Sequence, residues 1–81
     1  MRYVIRKLEG NFWVDVLKFD DARQFEPSDA VEVVRERIAS GELPFFGASL
    51  FCLIQKVHNG RERRMGEDVA VDRRGNASSV K

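Results

Sequence analysis

Two runs near the start of the chain, residues 2–8 and 12–19, are rich in β-branched and aromatic side chains and flank Glu9-Gly10-Asn11. Gly-Asn between such runs predicts a hairpin, because both residues tolerate the positive φ of a two-residue turn. With Gly10-Asn11 as the loop, Arg6 faces Asp15, Ile5 faces Val16, Val4 faces Leu17 and Leu8 faces Trp13. This register sets opposite charges together and matches apolar with apolar. It places Val4, Leu8, Trp13, Leu17 and Phe19 on one face and Ile5, Val14 and Val16 on the other. One face is expected to pack on a helix. The other is either a binding surface or a surface that later segments cover.

Residues 20–28 read as a loop that leads into a helix. Ser28 or Asp29 suits the N-cap, and Asp29 with Glu32 has the spacing of a capping box whose carboxylates favour the positive end of the helix dipole. Ala30, Val31, Val34 and Ile38 then recur at helical spacing, with Arg35, Glu36 and Arg37 turned outward. Gly41 and Pro44 stop the pattern, so the helix is expected over 29–40. Residues 49–57 form the strongest strand signal. Leu50-Phe51-Cys52-Leu53-Ile54 is apolar on both parities, as in a central strand, and Asn59-Gly60 follows as a second hairpin signal. Arg61-Glu62-Arg63-Arg64 has little strand propensity, and good strand residues return only at Val69-Ala70-Val71. A long, partly irregular hairpin with a charged, projecting tip is therefore expected. The expected fold class is α+β: an antiparallel sheet in β-β-α-β-β order with one helix packed on one face. It forms a single domain over 1–72, followed by a flexible, disordered tail over 73–81.

Composition narrows the class. With 81 residues, 43% hydrophobic and 33% charged, the chain has the size and make-up of one small globular domain, not of a disordered or collagen-like polymer. Cys52 is the only cysteine, which excludes a disulfide scaffold and suits a reducing cytoplasm. Its apolar surroundings mark it as a core residue and not a nucleophile. Residues 1–7 lack the apolar centre of a signal peptide, and no apolar run approaches the roughly 20 residues that cross a bilayer. A cytoplasmic protein without membrane attachment is expected.

Charge is distributed unevenly. The formal net charge is +1, yet residues 9–42 carry nine acidic against four basic side chains and residues 56–81 seven basic against four acidic. Arg61, Arg63 and Arg64 stand together on the expected hairpin tip, Arg61 and Arg63 on one face and Arg64 on the other. There they suit phosphates or the carboxylates of a partner, or serve as a solvated tip that discourages edge pairing. Glu62, Glu67, Asp68 and Asp72 interrupt the basic run. Nothing aromatic lies beyond Phe51 to stack on bases, and neither an RNA-recognition signature nor a Gly-x-x-Gly clamp is present. Phe45 and Phe46, between Pro44 and Gly47, either anchor their loop to the core or offer apolar interface anchors, and Trp13 has the same two roles open.

Catalysis and cofactors find no constellation. His58 is the only histidine and has no second ligand nearby for a metal. Cys52 and His58 lie about 20 Å apart along an extended strand, beyond the reach of a dyad. Asp20-Asp21 lacks the further oxygens of a cation site, and no Gly-rich phosphate loop occurs. No metal, no cofactor and no enzymatic activity are expected.

In strand-helix order and size, residues 2–72 resemble compact phage-encoded inhibitors, such as anti-CRISPR proteins and inhibitors of host RNA polymerase. The resemblance implies a regulator that occupies a surface of a larger host assembly. The expectation is therefore a small, non-catalytic protein-binding module. Its partner is a protein or nucleoprotein assembly, contacted by Arg61, Arg63 and Arg64 with Phe45, Phe46 or Trp13 as apolar anchors. The alternatives are a nucleic-acid-binding module that uses the same hairpin and a self-associating structural subunit.

Overall fold

The first hairpin closes around Gly10, whose φ is +61°, and joins β1 (Arg2–Glu9) to β2 (Phe12–Asp20). A computed structural model describes residues 1–80; Lys81, the last residue of the expected tail, lies outside the described residues. After β2 come a 3₁₀ turn (Pro27–Asp29), α1 (Ala30–Ala39), β3 (Ser49–Lys56), a second 3₁₀ turn (His58–Gly60), β4 (Glu62–Val71) and β5 (Ala77–Ser79). The strands form one sheet in the order β2-β1-β3-β4-β5, with every neighbouring pair antiparallel. β3 takes the middle position that its two-sided apolar run predicts.

The hairpin register holds next to the turn, where Leu8 pairs with Trp13 and Arg6 with Asp15. Beyond that the expectation is corrected. Val16 is an extra residue, a β-bulge, so Ile5 pairs with Leu17 and Tyr3 with Phe19. Side chains alternate along a strand, so one added residue moves everything beyond it to the opposite face. Leu17 and Phe19 therefore join Tyr3 and Ile5 in the main core, not Val4 and Trp13.

α1 lies across β3, β4 and β5 and buries Ala30, Val33 and Val34 against Phe51, Leu53, Met65, Val69, Val71 and Ala77. Val33, outside the expected apolar set, is fully buried. Over β1 and β2 the roof is Phe19 and Phe25, whose ring centroids lie 5.6 and 4.9 Å from that of Tyr3. The buried Tyr3 hydroxyl donates to the Arg23 carbonyl at 3.2 Å and accepts the Phe25 N–H at 3.1 Å, so its polar end stays satisfied.

Two expectations for the helix are corrected. Capping occurs one turn early: Glu26 N–H donates to Asp29 Oδ2 at 2.7 Å and Asp29 N–H to the Glu26 carbonyl at 2.9 Å, while Asp29 and Glu32 form no box. Pro27, which has no N–H to lose, favours this earlier start. Arg37 also does not turn outward. Its guanidinium lies 4.1 Å above the Phe19 ring and pairs with Asp21 at 2.8 Å and Glu42 at 3.0 Å, which ties α1 to both flanking loops.

The second hairpin departs further. Glu62, Arg63 and Arg64 sit in the ladder opposite Lys56, Gln55 and Ile54, so the arginine run is strand and not a projecting tip. The irregularity falls later: Met65 pairs with Leu53 and Val69 with Phe51, leaving Gly66-Glu67-Asp68 opposite Cys52 alone. Two extra residues preserve parity, which lets Met65 and Val69 bury on the same face. Gly66 makes this excursion at φ +73° with its α-carbon against the Pro27 carbonyl.

The segment expected to be a flexible tail is also corrected. Asp72 closes a turn by accepting the backbone N–H of Arg74 at 2.8 Å and of Asn76 at 2.9 Å. Ala77–Ser79 then pair with Val69–Val71 as β5, with Ala77 buried beneath α1. Among the described residues no helix is long and apolar enough to cross a membrane.

Candidate functional site

The residues singled out in the sequence separate into three places. Arg61 and Arg63 lie at one end of the sheet, beside the His58–Gly60 turn. Both are exposed, and neither forms an ion pair among the described residues. Trp13 and Arg64 lie on the open face of the sheet. Phe45 and Phe46 lie at the opposite end, before β3 begins. The eight residues of β3 separate the two ends by about 26 Å.

The open face is closed by its own charges. Val4, Cys52 and Ile54 are buried there with Trp13 packed against them, although no helix covers them. Arg6, opposite Cys52 in the ladder, donates through Nε to Asp15 at 2.6 Å and through both terminal nitrogens to Glu62 at 2.9 and 2.6 Å. Lys56 reaches the same Glu62 carboxylate at 2.5 Å. Arg64 pairs with Asp68, and its guanidinium lies 5.2 Å from the Trp13 ring. These side chains bridge four strands and keep water from the apolar groups below. The Arg6 hydrogen bonds, followed by those from Lys56, hold the Glu62 carboxyl down at about 2. Burial pushes the Cys52 thiol up, which favours its protonated form within the core.

The far end of the sheet is built differently. Its loop is anchored by Leu43, which is 1% exposed and donates its N–H to the Arg37 carbonyl at 3.0 Å. With Leu43 as the anchor, Phe45 and Phe46 remain 53% and 45% exposed. Phe46 leans on Phe51, at 6.3 Å between ring centroids, and Lys7 Nζ lies 5.3 Å from its ring. Lys7 pairs across the hairpin with Val14 and Glu9 with Phe12. Phe12 and Val14 are 75% and 40% exposed on this same helix-side face, beyond the reach of α1. On the other side, a Cβ at Gly75 would lie 3.9 Å from the Phe45 ring, so Phe45 lies beside the Asp72–Asn76 turn that presents Arg73 and Arg74.

Three exposed phenylalanines and a valine thus form a row across the end of the sheet, bordered by two exposed arginines. The sequence reading placed Val14 on a face open to binding but missed Phe12 and this use of Arg73 and Arg74. Phe12 follows the turn directly, at the position where a short hairpin extends beyond its helix, and that placement was its only signal. Aromatic and basic groups do meet, but through folding and not through adjacency in the chain.

Among the described residues, no group of three or more histidine, cysteine, aspartate or glutamate side chains is placed to hold a metal ion. A depression of about 410 Å³ beside α1, bordered by Arg23, Asp29, Glu32 and Glu36, is open to solvent. No family model matches the chain, and comparisons with curated proteins and with solved structures return no match.

Proposed function

We propose that this chain is a non-catalytic binding module that docks on the surface of a larger protein or nucleoprotein assembly through the aromatic end of its sheet. The observation that supports this reading is the row formed by Phe12, Phe46 and Phe45. Three large apolar side chains, each about half exposed or more, lie at one end of the sheet in a protein whose other aromatics are buried or partly buried. Apolar clusters of this kind at a rim of polar groups are typical of contact sites, where a few aromatic anchors carry most of the binding energy. The tip arginines first assigned to this role divide: Arg64 is engaged with Asp68 and Trp13, whereas Arg61 and Arg63 remain available.

The test is affinity capture with the wild-type chain and with the Phe12→Ser/Phe45→Ser double variant, each with and without nuclease. A stoichiometric protein that survives nuclease and is lost with the variant supports the module and its site. Capture that is unaffected by the variant removes the aromatic end from the mechanism. A second reading, phosphate contact by Arg61 and Arg63, is favoured by their lack of carboxylate partners. It predicts capture that disappears with nuclease and with Arg61→Ala/Arg63→Ala.

A further inference from the structure

Resting on the binding-module reading, we infer that the aromatic end takes a short, extended peptide segment bearing carboxylates beside apolar side chains. Three observations define this occupant.

The first is size. At 150–250 Å² of accessible area per phenylalanine, the exposed parts of Phe12, Phe45 and Phe46 amount to roughly 350 Å². That is the scale of a functional patch on a monomer, whereas a stable dimer needs about 800 Å² from each partner. The row crosses the sheet from β2 to the turn between β4 and β5. Five strands about 4.8 Å apart span roughly 19 Å, the length of about six extended residues.

The second is charge. Arg73 and Arg74 are exposed and form no ion pair among the described residues. The carboxylate nearest in sequence, Asp72, is already committed to the backbone N–H groups of Arg74 and Asn76. The patch therefore has an apolar end at Phe12 and, at Arg73-Arg74, an end that stays net cationic beside Asp72. A second copy bound about a two-fold axis with these arginines at its centre would bring them against their own equivalents, so charge disfavours self-pairing there.

The third is the state of the rings. A single strand of nucleic acid needs open ring faces together with a track of cations along its backbone. Here Phe46 is occupied by Phe51 and Lys7. Lys7 is itself paired with Glu9 at 3.4 Å, which leaves cations at one end of the row only. Carboxylates at one end of a peptide and apolar side chains along the rest match that asymmetry.

The experiment titrates the ¹⁵N-labelled chain with a synthetic leucine-aspartate peptide about twelve residues long, leucine and serine along most of its length and three aspartates at one end. Leucine-lysine and oligothymidylate probes of the same length run in parallel. The expected result is that the leucine-aspartate peptide moves the amide resonances of Lys7, Phe12, Phe46 and Arg74. Phe45→Ser and Arg73→Ala/Arg74→Ala each weaken that binding about tenfold, and Arg61→Ala/Arg63→Ala does not. Equal binding of the lysine peptide, binding of oligothymidylate alone, or no shift with any probe overturns the inference. If no peptide binds but capture still yields a partner dependent on Phe45, the module stands and only its acidic occupant is refuted.

Discussion

Gly66 and Pro27 approach so closely that a Cβ on Gly66 would overlap the Pro27 carbonyl oxygen and lie 3.1 Å from its carbonyl carbon. The contact joins the β4 excursion to the turn that starts the helix. Gly66 is further held at φ +73°, where side chains are strained. Gly66→Ala is expected to cost at least about 2 kcal/mol, lowering the melting temperature by roughly 8 °C or more. Gly10→Ala, with a positive φ but open space around it, should cost about 1 kcal/mol. Urea denaturation of the two variants side by side checks the difference; equal losses would mean that the Pro27 contact yields without cost.

Glu62 makes the open face acid-sensitive. Its folded carboxyl titrates at about 2, against an ordinary 4.5, because Arg6 and Lys56 donate to the charged form. Between those values the unfolded chain binds more protons than the folded one, so stability rises with pH across that window. The contribution of Glu62 is complete above about pH 4.5 and falls away as pH drops towards 2. Glu62→Gln should therefore flatten the decline of melting temperature between pH 5 and 3 relative to wild type. An unchanged slope would show that other lowered carboxyls, Asp21 beside Arg23 and Asp72 in its turn, carry the acid response instead.

The three arginines of β4 and its turn should behave unequally. Arg64 packs over Trp13 and pairs with Asp68, so Arg64→Ala is expected to cost about 0.5–1 kcal/mol. Since Trp13 is the only tryptophan, its emission should shift to the red as that cover is removed. Arg61→Ala and Arg63→Ala should leave stability within about 0.5 kcal/mol and emission unchanged. An equal response from all three would place Arg64 in solvent with the others.

Exposure also sets the cost of removing the phenylalanines. Phe12→Ser, whose ring is three-quarters exposed, should cost no more than about 1 kcal/mol, and Phe45→Ser, whose ring is half covered, about 1–2 kcal/mol. Phe51→Ala, in the core at 1% exposure, should cost about 3–5 kcal/mol. Thermal melts of the three variants are enough. A large loss with Phe12→Ser would make that ring a structural support and not an anchor.

What could be read in the chain was local. Asn59-Gly60, the Leu50–Ile54 run and the pairing of Arg6 with Asp15 each concern neighbours or a register counted from a nearby turn, and each appears in the fold. What escaped depends on distant contacts. The Val16 bulge leaves no mark, because residues 14–19 offer apolar side chains on both parities and either register buries something. The low strand propensity of Glu62-Arg63-Arg64 is overridden by pairing with β3 and by the ion pairs of Glu62 with Arg6 and Lys56 and of Arg64 with Asp68. The short Ala77–Ser79 strand was hidden among Ser, Asn and Gly, since its order comes from the Asp72 turn and from α1 above Ala77. The candidate site shares this character: Phe12, Phe45 and Arg74 are far apart in the chain and meet only across the end of a finished sheet.

The bulge at Val16 has a consequence for the company the protein keeps with itself. β2 and β5 are the free edges of the sheet, where unpaired backbone groups can template a foreign strand. Val16 divides the longer edge into Phe12–Asp15 and Leu17–Asp20, each shorter than the usual strand of about five or six residues, and β5 offers only three. Neither border presents a long, flat ladder on which another copy could grow. The chain can thus leave sticky aromatic groups open at the end of its sheet while its sides resist the stacking that leads to fibrils.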